Sequence, residues 1–340
     1  MFDGLSLGLL LVLALVLAAE FVNGATDAPN AIATVVSTRV LAPRTALMMA
    51  TVLNALGVAS GTAVAVTIGK GFVQHESITL STIGAAMVAI VLWSSLAWRF
   101  GLPTSESHAL VASITGAGYA TGGLGALIGT GWEKVAVGLL FSTVLGFGGG
   151  LLIVIAVYWL FQRFAPTRIT AVFGKLQVLS AAFMAFSHGS NDGQKFMGVF
   201  TLSLMVAGAI PATETFHVPW WVILVCSLMM AVGTSIGGWR IIRTMGMRMV
   251  KLEPYQGFAA ETGAASAIEL ASRLGIPVST THTISTAIMG VGAARKLSAV
   301  RWGVVRGVVA AWVLTFPVCA AIGWLVASVA QRLPAALAGQ

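Results

Sequence analysis

The chain is short of charge before anything else. Only 9% of its 340 residues are charged, against 57% hydrophobic, with a mean hydropathy of +0.93. A soluble domain carries about 25% charged residues to keep its surface wetted. This chain cannot cover itself in water, so a water-soluble globular enzyme is excluded and lipid is its main solvent. Cysteine is scarce too: Cys226 and Cys319 both sit in apolar runs, which excludes a disulfide framework and a thiolate metal cage. Aromatics are few beside 39 glycines, a balance that favours helices packed closely through small residues. Low-complexity tracts and a separable soluble domain are absent. The apolar stretch Leu5–Ala19 has no basic residues before it and apolar sequence resumes after a polar interruption, so it reads as mature protein rather than a cleaved leader.

What is present is a series of ten apolar stretches, each near the ~20 residues that cross hydrocarbon. They run over Leu5–Val22, Thr45–Gly69, Thr79–Trp98, Pro103–Thr130, Val135–Gln162, Leu176–Ala207, Pro219–Trp239, Gln256–Ser272, Pro277–Ala293 and Gly303–Ala330. Several are too long and too glycine-rich for one straight helix, so broken or re-entrant segments are expected, with 10–12 membrane segments in all. The net charge of +8 then reads as the positive-inside rule rather than as nucleic-acid binding. With the N-terminus outside, one face receives only Lys70, Lys134, Arg273 and Arg332. Lys195 falls within a span, and the other face takes the rest of the 19 Lys and Arg. Both termini are therefore expected outside an inner (cell) membrane.

An internal repeat points the same way. Leu96–His108, which contains Arg99, Gly101, Pro103, Ser105 and His108, matches Leu270–His282 at an offset of 174, and Gly116 and Gly118 match Gly290 and Gly292. An odd number of spans per half puts the halves in opposite orientations. The expected fold is all-α and polytopic, with two inverted-topology repeats of about five spans. They cover 1–162 and 176–332, joined by a cytoplasmic connector at 163–175. This architecture supports alternating access.

Each half carries polar residues inside an apolar run: Asn23–Ala31 in the first and Ser187–Lys195 in the second. Their glycines and Pro29 are expected to break the helix, and irregular backbone at membrane depth is tolerated only where it is buried or lines a cavity. Glu20, Asp27, Glu106, Asp192, Glu261, Glu269 and Lys195 all lie in or at the edge of spans. Seven unrelieved charges at ~2.5–3.5 kcal/mol each would cost on the order of 20 kcal/mol, above a typical folding stability of ~5–15 kcal/mol. They must be paired, neutralised, hydrated or ion-bound, as on a transport pathway. Glu20 and Glu269 are near span ends and can snorkel instead, and Glu106 can cap a helix. Asp27 and Asp192, with Asn30 and Asn191, supply hard oxygen ligands for a cation or a carboxylate for a proton. Glu261, mid-span, joins them. Ser105 and Ser107, with Ser279, Thr280 and Thr281, stand at proline-led helix starts and offer neutral donors suited to a tetrahedral oxyanion. Gln194 and Lys195 are further candidate anion contacts, although Lys195 can equally balance Asp192. His108, His188 and His282 can be ligands or can simply donate to a neighbouring carbonyl; His75 and His217 fall in loops.

These motifs resemble those of the inorganic phosphate transporters of the PiT type. Gly24-Ala25-Thr26-Asp27-Ala28-Pro29-Asn30-Ala31 is similar to the family's Gly-Ala-Asn-Asp-x-x-Asn-Ala signature, Ser187–Lys195 resembles its second copy, and Ile276–His282 its second-repeat pattern. The resemblance implies an inverted-repeat fold of up to twelve segments and cation-coupled phosphate uptake. It implies cation roles for Asp27, Asn30, Asn191, Asp192 and Glu261, and phosphate contacts near Ser105, Ser279, Thr280 and Thr281. This chain departs from sodium-coupled members at Asn54, where they have glutamate, and at Lys195, where a second asparagine is common. A fixed ammonium repels Na⁺, so a proton is favoured as the coupling ion, and a neutral metal–phosphate species is a further option. Neither a resident cofactor nor a catalytic centre is expected. Sulfate or another tetrahedral oxyanion stays open as cargo, as do an anion channel and, from its Ser, His and Asp residues, an intramembrane hydrolase. The oligomeric state is open, a homo-oligomer included.

Overall fold

The computed structural model describes residues 6–71, 73, 77–211 and 216–332; Leu5 and His75 lie outside them. Among the described residues the chain is helical, with one isolated bridge between Val73 and Leu127. The first half forms α1 (Leu7–Ser37), α2 (Pro43–Val58), α3 (Ala63–Gly69), α4 (Leu80–Phe100), α5 (Glu106–Gly122) and α6 (Gly129–Phe161). The second forms α7 (Pro166–Val206), α8 (Trp220–Ile236), α9 (Trp239–Ile242, which continues as a π-helix over Arg243–Met249), α10 (Pro254–Arg273), α11 (Thr280–Arg295) and α12 (Trp302–Ala330). Five helices, α1, α4, α6, α7 and α12, are long and apolar enough to cross a bilayer, and the bent pairs α2–α3 (67°) and α8–α9 (63°) raise this to seven. The chain is a multi-pass membrane protein. The motif-bearing helices α5, α10 and α11 fall outside that test, because they are short or polar and bury their residues in protein rather than lipid.

The halves repeat element for element, and their contacts are reciprocal. α1 packs on α8 as α7 packs on α2, and α5 packs on α12 as α11 packs on α6. Two apolar cores lie on either side of the motif residues. α1 contributes Leu9–Ala19 to one and Ala31–Val36 to the other, whereas α7 enters the second core with Ala181–Ala185 and reaches the first with Phe196–Leu204. The two motif helices thus traverse the protein in opposite directions, which fits an inverted repeat. The arginines assigned to one face come together: Arg99, Arg240, Arg243 and Arg248 line a single cleft.

Two sequence expectations are corrected. The motif segments 23–31 and 187–195 are not broken, since α1 and α7 run through them as continuous helices with Pro29 inside α1. Their glycines serve close helix crossing instead: a Cβ at Gly24 would lie 2.5 Å from Met230 O, and one at Gly189 would lie 2.1 Å from Asn54 O. Proline removes one backbone hydrogen bond, and tertiary packing outweighs that loss here, the Pro29 ring resting on Gly238 at the α8–α9 break. The breaks fall at 59–62 and at Gly237–Gly238, where Gly237 has φ 71°. Nor is Glu20 near a span end where it could snorkel: it is wholly buried midway along α1.

Candidate functional site

The polar residues sit at the waist between the two cores, where α1 and α7 pass the N-termini of α5 and α11. Both short helices start there because Ser105 and Ser279 act as N-caps, accepting from the backbone N–H of His108 and His282. Ser279 Oγ also lies 2.6 Å from His282 Nδ1, and Ser279 N–H donates to Ser142 Oγ. These two hydroxyls are thus engaged in holding helix starts.

Seven of the expected residues converge. On α7, Lys195 Nζ donates to Asp192 Oδ1, to Ser107 Oγ and to the Val278 carbonyl. Ser107 Oγ donates to the same carbonyl at 2.8 Å. Thr280 Oγ1 donates to Asp192 Oδ2 at 2.9 Å, and Thr281 Oγ1 to Asp27 Oδ2 at 3.3 Å. From α1, Asn30 Nδ2 reaches both threonine hydroxyls, at 3.3 and 2.9 Å. All of these side chains are buried. A cluster of one ammonium, two carboxylates, an amide and three hydroxyls can bind a small cation at the carboxylates and an oxyanion at the donors. The cavity beside it, lined by Ser107, His108, Ser279, Pro277 and neighbouring apolar residues, is ≈ 10 Å³, about the room one water needs. The described conformation therefore holds the site closed.

The remaining expected residues lie around this centre. Asn191 donates to Ser272 Oγ and the Ile276 carbonyl and accepts from Val278 N–H, so it holds the α10–α11 connection. Gln194 accepts from Val64 N–H at the start of α3, and so supports the bent α2–α3 pair. Glu106 accepts from Thr26 Oγ1 at 3.2 Å and Ser94 Oγ at 2.8 Å. Glu261 belongs to a second polar cluster deeper along α1, accepting from Thr34, Gln177 and Ser180.

Sequence reading left His188 open and did not see its partner. Asn54 Nδ2 donates to Thr234 Oγ1, so Asn54 Oδ1 is the atom facing His188 Nδ1 at 3.1 Å. Nδ1–H then donates to Asn54 Oδ1, and Nε2 faces Asp192 Oδ2, 3.3 Å away. Ligand atoms of Asp27, His188 and Asp192 all lie within 4.8 Å of one another. An i, i+4 His–Asp pair on a polar helix turn was the available signal for His188; nothing local marks Asn54, Gln177 or Ser180.

With this geometry in hand, the chain can be set beside known proteins. Residues 23–323 match the sequence profile of the phosphate transporter family. The chain is 44% identical over 315 residues to a Rhizobium meliloti (strain 1021) protein named a probable low-affinity inorganic phosphate transporter, covering 92% of this chain and 94% of that one. A Bacillus subtilis (strain 168) protein of the same name is 37% identical over 316 residues, with the same coverage. Among solved structures, one described as the sodium-dependent phosphate transporter superposes with a TM-score of 0.90 over 97% of this chain and 100% of that one, at 24% identity. At that identity the likeness is one of fold.

Proposed function

The chain belongs to the phosphate transporter family, and from that premise we propose that it is a cation-coupled symporter importing inorganic phosphate across the inner membrane by alternating access, with the proton as coupling ion. The observation that carries the reading is the unequal pair of motifs around one cluster: Asp192 is already paired with Lys195, whereas Asp27 accepts from the Thr281 hydroxyl and, among the described residues, forms no ion pair of its own. A buried charge must be compensated. One borrowed cation at Asp27 is then enough to ready the cluster for an anion, and its loss on the cytoplasmic side destabilises the bound anion and releases it.

Ser107, Thr280 and Thr281, with Lys195, are the donors offered to phosphate. Ser105 and Ser279 act through the amide ends of α5 and α11, where the helix dipole favours an anion. Asp27, with Asn30, Asp192 and Glu106 close by, forms the cation side. Asn191 and Gln194 position the backbone around the cluster, and Glu261 tunes α1 from its separate site. Hydrogen phosphate carries a hydroxyl that can donate to a carboxylate; sulfate carries none, so the acidic side of the cluster favours phosphate over sulfate. In this reading both termini face outward, the arginine clefts face the cytoplasm, and no resident cofactor takes part.

The test is labelled phosphate uptake into proteoliposomes under an imposed pH gradient, an imposed Na⁺ gradient, and either with excess sulfate. Uptake that follows the pH gradient and resists sulfate is expected; uptake that follows Na⁺ alone removes the proton, and sulfate transport in place of phosphate removes the cargo. A second reading, a neutral metal–phosphate complex as cargo, is favoured by the closeness of Asp27, His188 and Asp192. It predicts that divalent metal enters with phosphate at a fixed ratio.

A further inference from the structure

The buried carboxylates are not equally supplied with donors. Asp192 has an ammonium and a hydroxyl, Glu261 two hydroxyls and an amide, Glu106 two hydroxyls, and Asp27 a hydroxyl. Glu20 has one donor, Asn23 Nδ2 at 3.2 Å on Oε2, and its Oε1 has no partner among the described residues. The oxygen of the same amide, Asn23 Oδ1, is buried without a partner among the described residues. Asn23 Nδ2 itself also contacts Met230 Sδ at 3.7 Å. A carboxylate accepts only, while a carboxylic acid also donates. Full burial with a single neutral donor favours the acid, because the ionised form would leave a charge desolvated and nearly unpaired.

We propose that Glu20 is the carboxyl that passes the coupling proton between the outer end of α1 and the Asp27 side of the cluster, a role that rests on the proton-coupled reading above. Glu20 lies seven residues before Asp27, two helical turns and about 10 Å along α1, on the side of the predicted outer end. Polar groups lead from it inward: Asn23 contacts Glu20, and Thr26 Oγ1 contacts both the Asn23 carbonyl and Glu106 Oε1. The charged or titratable groups facing it are Asp192 and Lys195 of α7, Glu106 of α5 and the Cys226 thiol of α8, while α4 contributes only the Ser94 hydroxyl beside Glu106. The charged set is net negative, so an arriving phosphate dianion raises the proton affinity of Glu20, and its departure lowers it. That linkage is what symport requires. The equivalent position of α7, offset by 165, is Ala185, so there is one such group per chain.

The test compares wild type with Glu20→Gln and Glu20→Asp in proteoliposomes by two readouts, accumulation driven by a pH gradient and phosphate–phosphate exchange at equal pH. Exchange needs no net proton cycle, and Gln mimics the protonated acid. We expect Glu20→Gln to exchange phosphate but to lose the roughly 10-fold accumulation that one proton supports per pH unit, with Glu20→Asp retaining both. Gradient-driven accumulation by Glu20→Gln equal to wild type overturns the assignment. So does loss of exchange in both variants, which marks a purely structural role. Wild type that ignores a pH gradient overturns the coupling reading itself, a failure visible without any variant.

Discussion

The two motif helices occupy equivalent places and do different chemistry. Asp27 of α1 corresponds to Asp192 of α7, and Asn30 to Lys195, at the same offset of 165. In the first half a neutral amide reaches the threonine hydroxyls of α11. In the second an ammonium closes on its own aspartate, on Ser107 and on a backbone carbonyl. One half carries its cation covalently, in Lys195, and the other has no such group at the equivalent position, Asn30. The same asymmetry recurs along the helices, since the position equivalent to Glu261 is the buried Met87 of α4. The helices of the two halves match in order and packing, while their buried charges do not.

The comparison is broken most severely by Lys195→Ala. Asp192 would stay buried with Thr280 and His188 as its neighbours, and removing one partner of a buried pair costs ~3–5 kcal/mol. We expect phosphate uptake to be lost and the thermal unfolding midpoint in detergent to fall well below wild type; wild-type stability would show that Asp192 does not depend on Lys195. Lys195→Asn makes the halves alike and should fold, but needs a second borrowed cation. The slope of uptake against cation concentration should rise from first order toward second, and an unchanged slope denies Lys195 the part of resident cation.

A smaller loss is expected from Thr281→Val, which removes a hydroxyl shared by Asp27 and Asn30. One hydrogen bond contributes about 1 kcal/mol, so the apparent phosphate affinity should fall several-fold with little change in protein yield. The paired change Thr280→Val on the Lys195 side should cost less, because Asp192 keeps its ammonium. The last contrast, in stability rather than uptake, is between two glycines. Gly189→Ala forces a Cβ against Asn54 O and should destabilise by ~1–3 kcal/mol, whereas a Cβ at Gly148 meets nothing within 4 Å and Gly148→Ala should be within about ±0.5 kcal/mol.

Much of this was legible in the chain itself. Scarcity of charge set the solvent, the 174-residue echo located α4–α5 and α10–α11, and polar residues in apolar runs located the waist. Less was legible wherever a local rule met a tertiary contact. Gly24, Pro29 and Gly189 look like helix breakers by propensity, and helix crossing against Met230, Gly238 and Asn54 explains them instead. Asn191 and Gln194 stand in the motif as candidate ligands, and no local cue reveals the partners they also hold far along the chain, such as Val278 and Val64. Glu20 looks like a residue at the edge of a span because hydropathy cannot see that α1 runs on to Ser37.

By itself the sequence determined the membrane setting, the helical class, the repeated motif and the set of polar residues, because each follows from composition or from spacing along one chain. Only the tertiary structure decided which of those residues face one another. That choice separates the paired Asp192 from Asp27, gives His188 its partner in Asn54, and leaves Glu20 with a single donor. Hydrogen bonds and desolvation act between atoms within about 3 Å, and residues that meet at that distance here stand as far as 254 positions apart.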